Sequence, residues 1–392
     1  MDLLNLNLNK TGDSKKLSIQ GQTKHFDVFR IPLEKLIYNK KNGRIATYVS
    51  QYLDEGNQFP SEKDIFNEII EEYIVKSNPD ALSKTKQNIR LLSQTEPAVV
   101  LSDGIVVDGN RRFTSLRQLS REGAGTQFNY LEAVILDRSK YSEKDIKRLE
   151  LNLQHAVESR VDYNPIDRLV DIYRDLIENG GVFTSEEYML ETQMSSKKIK
   201  EEIEVAKLMI QYLEYIKKPL KFHVAREQKI DGPLREVYSI LKSPKIDSNK
   251  ISDIRDFLFT NIISLNGDVT RRIRALKAVF EDRNLANQIL SKIDELELLD
   301  DVEDSLEINS QTETVELDKN ICDKITDITE TYVERKKIQN AKNQPLEILN
   351  KAFRQLQEID RDLVIRLNTQ QRDEFQNLLR AVEKYVEELG DI

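Results

Sequence analysis

The chain has 392 residues and a net charge of −9, with 59 Lys and Arg against 68 Asp and Glu. That length provides for two or three domains, and the acidic balance excludes a protein that wraps nucleic acid by its overall charge, so any such contact has to come from a local basic patch. One cysteine (Cys322) and three scattered histidines (His25, His155, His223) exclude a disulfide framework and a zinc site on cysteine pairs, and leave a histidine metal site without supporting spacing.

Residues 1–24 read as a polar tail with no basic region before an apolar core, and nowhere do 18 apolar residues run together. The expected location is therefore the cytoplasm, without a membrane span or a secretory signal. Phe26 to Asn39 reads as a strand and then a turn, followed by a loop from Asn39 to Ile45 rich in turn formers. A helix is expected from Ser61, capped by Ser61 with Asp64, and a second from Asp80 to Leu92. Asp103-Gly104 between two β-branched runs predicts a hairpin closed by a two-residue turn. The second strand ends near Asp108 and a helix takes over, ending at Gly123 and Gly125. Tyr130 to Leu136 is a further strand, and a helix capped by Ser142 and Asp145 follows.

After Pro165 strand signals fade. An amphipathic helix begins there, with Gly180 past its end. Thr184 to about Met209 reads as helix, short turn, helix, the second capped by Ser195 or Ser196. Residues 291–314 read as an acidic linker, and 315–392 as a helical domain with an apolar stripe through Phe375, Leu378, Leu379, Val382, Tyr385, Val386 and Leu389. The middle segments divide as a 25–160 domain with strands and a 161–290 helical domain.

The corner at "VVDGNRRFTSLRQL" carries the most chemistry. Arg112, Leu116 and Leu119 stand at i, i+4 and i+7, so Arg112 lies on the buried stripe of its own helix and needs an anion. Gly109, the first helix amides and two guanidiniums suit a phosphate. A structural salt bridge to Asp108 or to a distant carboxylate answers the same need, and the residues leave both open.

The same stretch resembles the glycine-x-Arg-Arg box of ParB-type partition proteins and the wider ParB/sulfiredoxin-like superfamily. Its neighbours resemble that family in order: "FRIPLEKLIYNKKNGRI", "EPAVVLSDG", "NLQHAVESRVDYNPIDRLVDIYRDLI" and "FTSEEYMLETQMSSKKIKEEIEVAKLM". The likeness spans roughly residues 26–210. It implies an α+β fold: a ParB/sulfiredoxin-like N-terminal domain with a small mixed sheet, then an all-α helix-turn-helix and a helical C-terminal region. It also implies that Gly109, Asn110, Arg111, Arg112, Asn152 and Gln154 face a nucleotide triphosphate, CTP or ATP with Mg2+, and that Arg44 sits near by. Leu151 stands where the family has its acidic residue, with Glu150 one position away, and His155 stands where the family has arginine. Ile45 to about Asn78 is an insertion with an extra helix.

The expected function is a nucleotide-dependent switch, a CTPase or ATPase if it hydrolyses, acting on DNA or with a DNA-bound partner, as a homodimer or as a monomeric bundle. The other readings are a nuclease or phosphotransferase of a mobile-element or phage-defence system, with Asp108 and Glu150 as the only close carboxylates, and an interaction protein. DNA contact is expected at Lys197, Lys198 and Lys200 on the second helix of the helix-turn-helix, and at Arg271, Arg272 and Arg274. Lys217, Lys218 and Lys221 form a further basic cluster, and no residue is assigned as catalytic.

Overall fold

The computed structural model describes residues 2–157, 164–264, 267–308 and 315–390, without the side chains of residues 154–157 and 343. The chain divides into two compact units, Met1–Ile328 and Thr329–Ile392.

The first unit is mixed α+β. Its strands are β1 (Asn9–Ile19), β2 (Gln22–Pro32), β3 (Ile37–Tyr38), β4 (Ala98–Leu101), β5 (Ile105–Asp108) and β6 (Tyr130–Leu136). They form one six-stranded sheet in the order β1-β2-β6-β4-β5-β3. The β1/β2, β2/β6 and β4/β5 pairs are antiparallel, and β4/β6 and β3/β5 are parallel.

Between β3 and β4 lie α1 (Ala46–Asp54), α2 (Lys63–Ser77) and α3 (Pro79–Leu92). α4 (Asn110–Arg121) joins β5 to β6, and α5 (Glu143–Val157) follows β6. Side chains alternate along each strand, so neighbours serve opposite faces. Ala98, Val100, Val106 and Ala133 join Phe113, Leu116 and Leu119 of α4 and Ile70 of α2 on one side. Val99, Leu101, Val107 and Val134 join Ile146 and Leu149 of α5 on the other. The sheet is thus a central layer, and the β5–α4 corner emerges at its edge between the two cores.

The rest of the unit is helical among the described residues: α6 (Pro165–Leu176), α7 (Ser185–Thr192), α8 (Ser196–Tyr215), α9 (Phe222–Glu227), α10 (Asp231–Leu241), α11 (Ile251–Ser264), α12 (Val269–Phe280), α13 (Arg283–Glu295) and α14 (Leu298–Ile308). The long α15 (Lys319–Gln357) begins in the first unit and continues into the second, which also holds α16 (Arg361–Ile365) and α17 (Thr369–Gly390). No described helix is long and apolar enough to cross a membrane.

Five expectations need correction. The polar tail of 1–24 is a strand hairpin. Gln20 and Gly21, at φ 54° and 71°, make a two-residue turn of the kind that matches strand twist, and Leu17 and Ile19 are buried beside Val28. The acidic linker of 291–314 is largely helix: Leu298, Val302 and Leu306, at i, i+4 and i+8, are buried on one face of α14 while its acids face out. Residues 309–314 lie outside the described residues. The β4–β5 turn has three residues, 102–104, with Gly104 at φ 96°. A Cβ on Gly104 would meet the carbonyl oxygen of Lys35 at 2.5 Å, which fixes glycine there.

The Ser61 cap is absent as well. α2 starts at Lys63 after Glu62, with no side-chain cap. By contrast Ser142 and Asp145 cap α5 reciprocally, at 3.0 and 3.1 Å. The first compact unit, Met1–Ile328, takes in both the 25–160 and the 161–290 segments. The insertion after Ile45 carries two helices, α1 and α2, and α2 is tied to α4 by Glu71, which accepts from Arg117 at 2.7 Å and from Arg121.

Candidate functional site

β5 ends at Asp108, and the chain enters α4 through Gly109, a left-handed residue at φ 100°. A Cβ at this position would lie 2.7 Å from Ala98 Cβ and 3.1 Å from Arg112 Nε. Glycine is therefore needed for both its conformation and its size. Asn110, Arg111 and Arg112 form the first turn of α4, where backbone N–H groups lack intrahelical acceptors and the helix dipole favours negative charge.

Arg112 points inward, as its spacing requires. Its Nη2 donates to Asp108 Oδ2 at 2.8 Å, and its Nη1 donates to the Glu96 carbonyl at 3.0 Å. Of the two anions the sequence allows, Asp108 is the one Arg112 holds here. A second cation reaches the same carboxylate: Lys15 Nζ of β1 lies 3.8 Å from Asp108 Oδ2 and donates to the Pro97 carbonyl at 2.5 Å. Burial lowers the Lys15 pKa, while Asp108 opposes that shift.

A cavity of about 320 Å³ opens beside the corner. Arg44 and Asn42 reach it from the loop after β3, Thr85 and Asn88 from α3, and Asp108 to Arg112 from the corner itself. The Asn42 side chain accepts from the Arg44 N–H at 3.0 Å and fixes that loop. Asn110 is 7% exposed and donates its Nδ2 to the Val106 carbonyl at 3.3 Å. Its Oδ1 is buried without a hydrogen-bond partner among the described residues. Such an acceptor costs about 1–3 kcal/mol unless a donor meets it.

Of the residues expected to bind a nucleotide, Arg44, Gly109, Asn110, Arg111 and Arg112 thus line one cavity. Asn152 does not join them. Its Nδ2 donates to Glu191 Oε2 of α7 at 2.6 Å, beside Arg148, which pairs with the same Glu191 at 2.7 Å. The side chains of Gln154 and His155 lie outside the described residues.

Behind the sheet, α5 and α6 enclose a charged cluster that the sequence reading missed. Lys147 Nζ lies 3.7 Å from Glu150, 4.0 Å from Asp171 and 3.8 Å from Asp175. Burial works against the ammonium, but the three carboxylates outweigh it and hold its pKa above the usual lysine range. Burial raises Asp175 to about 7, partly offset by Lys147. Burial likewise raises Asp167 to about 7, against Arg226 at 3.2 Å. The signal was present: Asp167, Asp171 and Asp175 repeat at i, i+4 and i+8 on the apolar face of α6.

A lysine ammonium already sits among these carboxylates, so Glu150 as placed here does not fit a resident magnesium ion. Among the described residues no group of three His, Cys, Asp or Glu is arranged to hold a metal.

The basic clusters divide. Lys198 bonds Glu201 at 3.0 Å and the fully buried Glu202 at 2.9 Å, and Arg235 holds Glu202 from the other side at 3.0 Å. Lys198 therefore belongs to the packing of α8, whereas Lys197 and Lys200 are exposed. Arg274 pairs with Glu236 at 2.7 Å, Arg271 is exposed, and Arg272 is partly buried beside them. Lys217 is neutralised by Glu303 at 2.7 Å. α7 and α8 form a helical pair at the expected place, capped by Thr184 with Glu187 and by Ser195.

No protein-family model matches the chain, and no curated protein matches it. Among solved structures it is similar to a chain described as a Pnob8-like ParB-N domain, at 13% identity, over 71% of this chain and 100% of that one, with a TM-score of 0.36. A TM-score of that size does not assign a fold family.

Proposed function

We propose that the chain binds a nucleotide, CTP or ATP, by its phosphates at the β5–α4 corner, and acts as a nucleotide-dependent switch on DNA or with a DNA-bound partner. The observation that carries this reading is the convergence of Arg44, Arg111 and the glycine-capped start of α4 on one cavity, where Asn110 Oδ1 has no donor. The cations and helix amides suit phosphate, and the acceptor suits a hydroxyl or amino group of the same ligand. The cavity volume falls in the range of about 300–1,000 Å³ typical of small-molecule sites.

DNA contact is proposed for the exposed Lys197, Lys200 and Arg271, and self-association for the second unit, whose apolar residues are exposed.

Isothermal titration with CTP, ATP and GTP, with and without magnesium, tests the reading. Arg111→Ala is expected to weaken binding by about tenfold or more, the loss of about one charge-assisted contact. Arg112→Ala is the poorer probe, because it also strips Asp108 of its principal ion pair. Absence of binding by all three nucleotides would refute the reading.

A further inference from the structure

We propose that Lys15, carried in by the N-terminal β1–β2 hairpin, is the counter-cation of the β5–α4 corner: with Arg112 it neutralises Asp108, so that the cavity accepts a multiply charged phosphate chain. This rests on the nucleotide reading above and names the part of the ligand that the corner selects.

The difficulty it resolves is electrostatic. The cavity wall carries three cations, Arg44, Arg111 and Arg112, but also two carboxylates, Glu96 and Asp108. A phosphate at the start of α4 would face Asp108 across Gly109, and like charges at such distances repel strongly where water is partly excluded. Two of the Arg112 nitrogens are already engaged, Nη2 with Asp108 and Nη1 with the Glu96 carbonyl, so little of its guanidinium remains for a ligand. Lys15 supplies the missing charge. Its side chain is 12% exposed, it is not among the residues that line the cavity, and it is fixed by the Pro97 carbonyl at 2.5 Å. An ammonium is desolvated at a cost and persists where a carboxylate compensates it. Asp108 is thereby held as a neutralised strut on the wall of the cavity that Arg44, Arg111 and the start of α4 also line.

The alternative is that Lys15 merely staples the hairpin to β4. The two differ in their dependence on Asp108. Titrations of the full chain would use inorganic triphosphate and CTP as probes, with thermal melts of each variant. Lys15→Met is expected to weaken both probes by about tenfold or more. Lys15→Met with Asp108→Asn is expected to recover to within about threefold of Asp108→Asn alone, because the charge needing compensation is gone. Lys15→Arg is expected to keep most of the affinity. Lys15→Met within about threefold of the wild type, or a loss that Asp108→Asn does not recover, overturns the proposal. If Lys15→Met fails to fold, Lys15→Arg and the double variant still decide it: near-equal affinity of the double variant and Asp108→Asn supports the role, and a further loss in the double variant removes it. A wild type that binds neither probe refutes the nucleotide reading itself, and is distinguished by that first titration.

Discussion

Asp175 is a carboxylate placed where its charge is expensive. Lys147, Glu150, Asp171, Arg174 and Tyr188 surround it, and burial lifts its pKa to about 7 from an ordinary 3.8. The folded state therefore holds a proton on Asp175 between about pH 4 and about pH 7 that the unfolded chain has released. Stability contributed by this group is present at low pH and is lost as pH rises through that window. Asp175→Asn removes the dependence. On going from about pH 5 to about pH 8 the variant is expected to gain on the wild type by on the order of 1–2 kcal/mol, less than the full shift implies because the interval crosses only part of the window between the two pKa values. Urea denaturation at the two pH values measures this, and a stability difference independent of pH would refute it. At this scale the sequence was informative about direction. The i, i+4, i+7 spacing placed Arg112 inward, but only the geometry showed that its guanidinium reaches Asp108. Lys15 was invisible, because nothing in "GDSKKLSIQGQ" announces a side chain that ends next to Asp108.

Among the elements, α14 shows how charge can hide packing. Eight acids between Asp294 and Glu307 suggested a solvated linker, yet the apolar positions between them keep a strict four-residue spacing. Leu298 is fully buried, and Lys217 and Lys324 neutralise acids on the outer face at 2.7 and 3.0 Å. Leu298→Ala is expected to destabilise the first unit by about 2–5 kcal/mol, as for a leucine deleted from a core. Chemical denaturation measures the effect, which a true linker would not show. The reverse case is the N-terminal hairpin. Its strands are short of apolar residues, so alternation at Leu17, Ile19, Phe26 and Val28 was too sparse to outweigh the surrounding lysines. The hairpin of β4 and β5, the caps at Ser142 and Ser195, and the helix opening at Pro165 were legible because each depends on one local rule of backbone geometry.

For the molecule as a whole, the two units differ in how they treat apolar surface. The first buries it in two cores about one sheet. In the second, Leu346, Leu349, Phe353 and Leu356 of α15 and Leu378, Leu379, Tyr385 and Leu389 of α17 are exposed. Exposed apolar faces on this scale exceed what an isolated soluble chain ordinarily shows. Light scattering is expected to give a dimer whose mass falls to that of the monomer when Leu378 and Tyr385 are both changed to Asp; an unchanged wild-type monomer at high concentration would refute self-association. The sequence by itself determined most of the elements, the N-terminal hairpin, α1 and α14 excepted, because helix and strand periodicity, caps and glycine-dependent turns are local. It also placed Gly109, Asn110, Arg111 and Arg112 at a strand-to-helix corner. Only the tertiary structure decided which distant residues meet: Arg44 but not Asn152 on the cavity wall, Lys15 from a segment that read as a tail, and Lys147 among the carboxylates of α5 and α6. Those are contacts between residues far apart in the chain, and no local pattern records which distant side chain neutralises a buried charge.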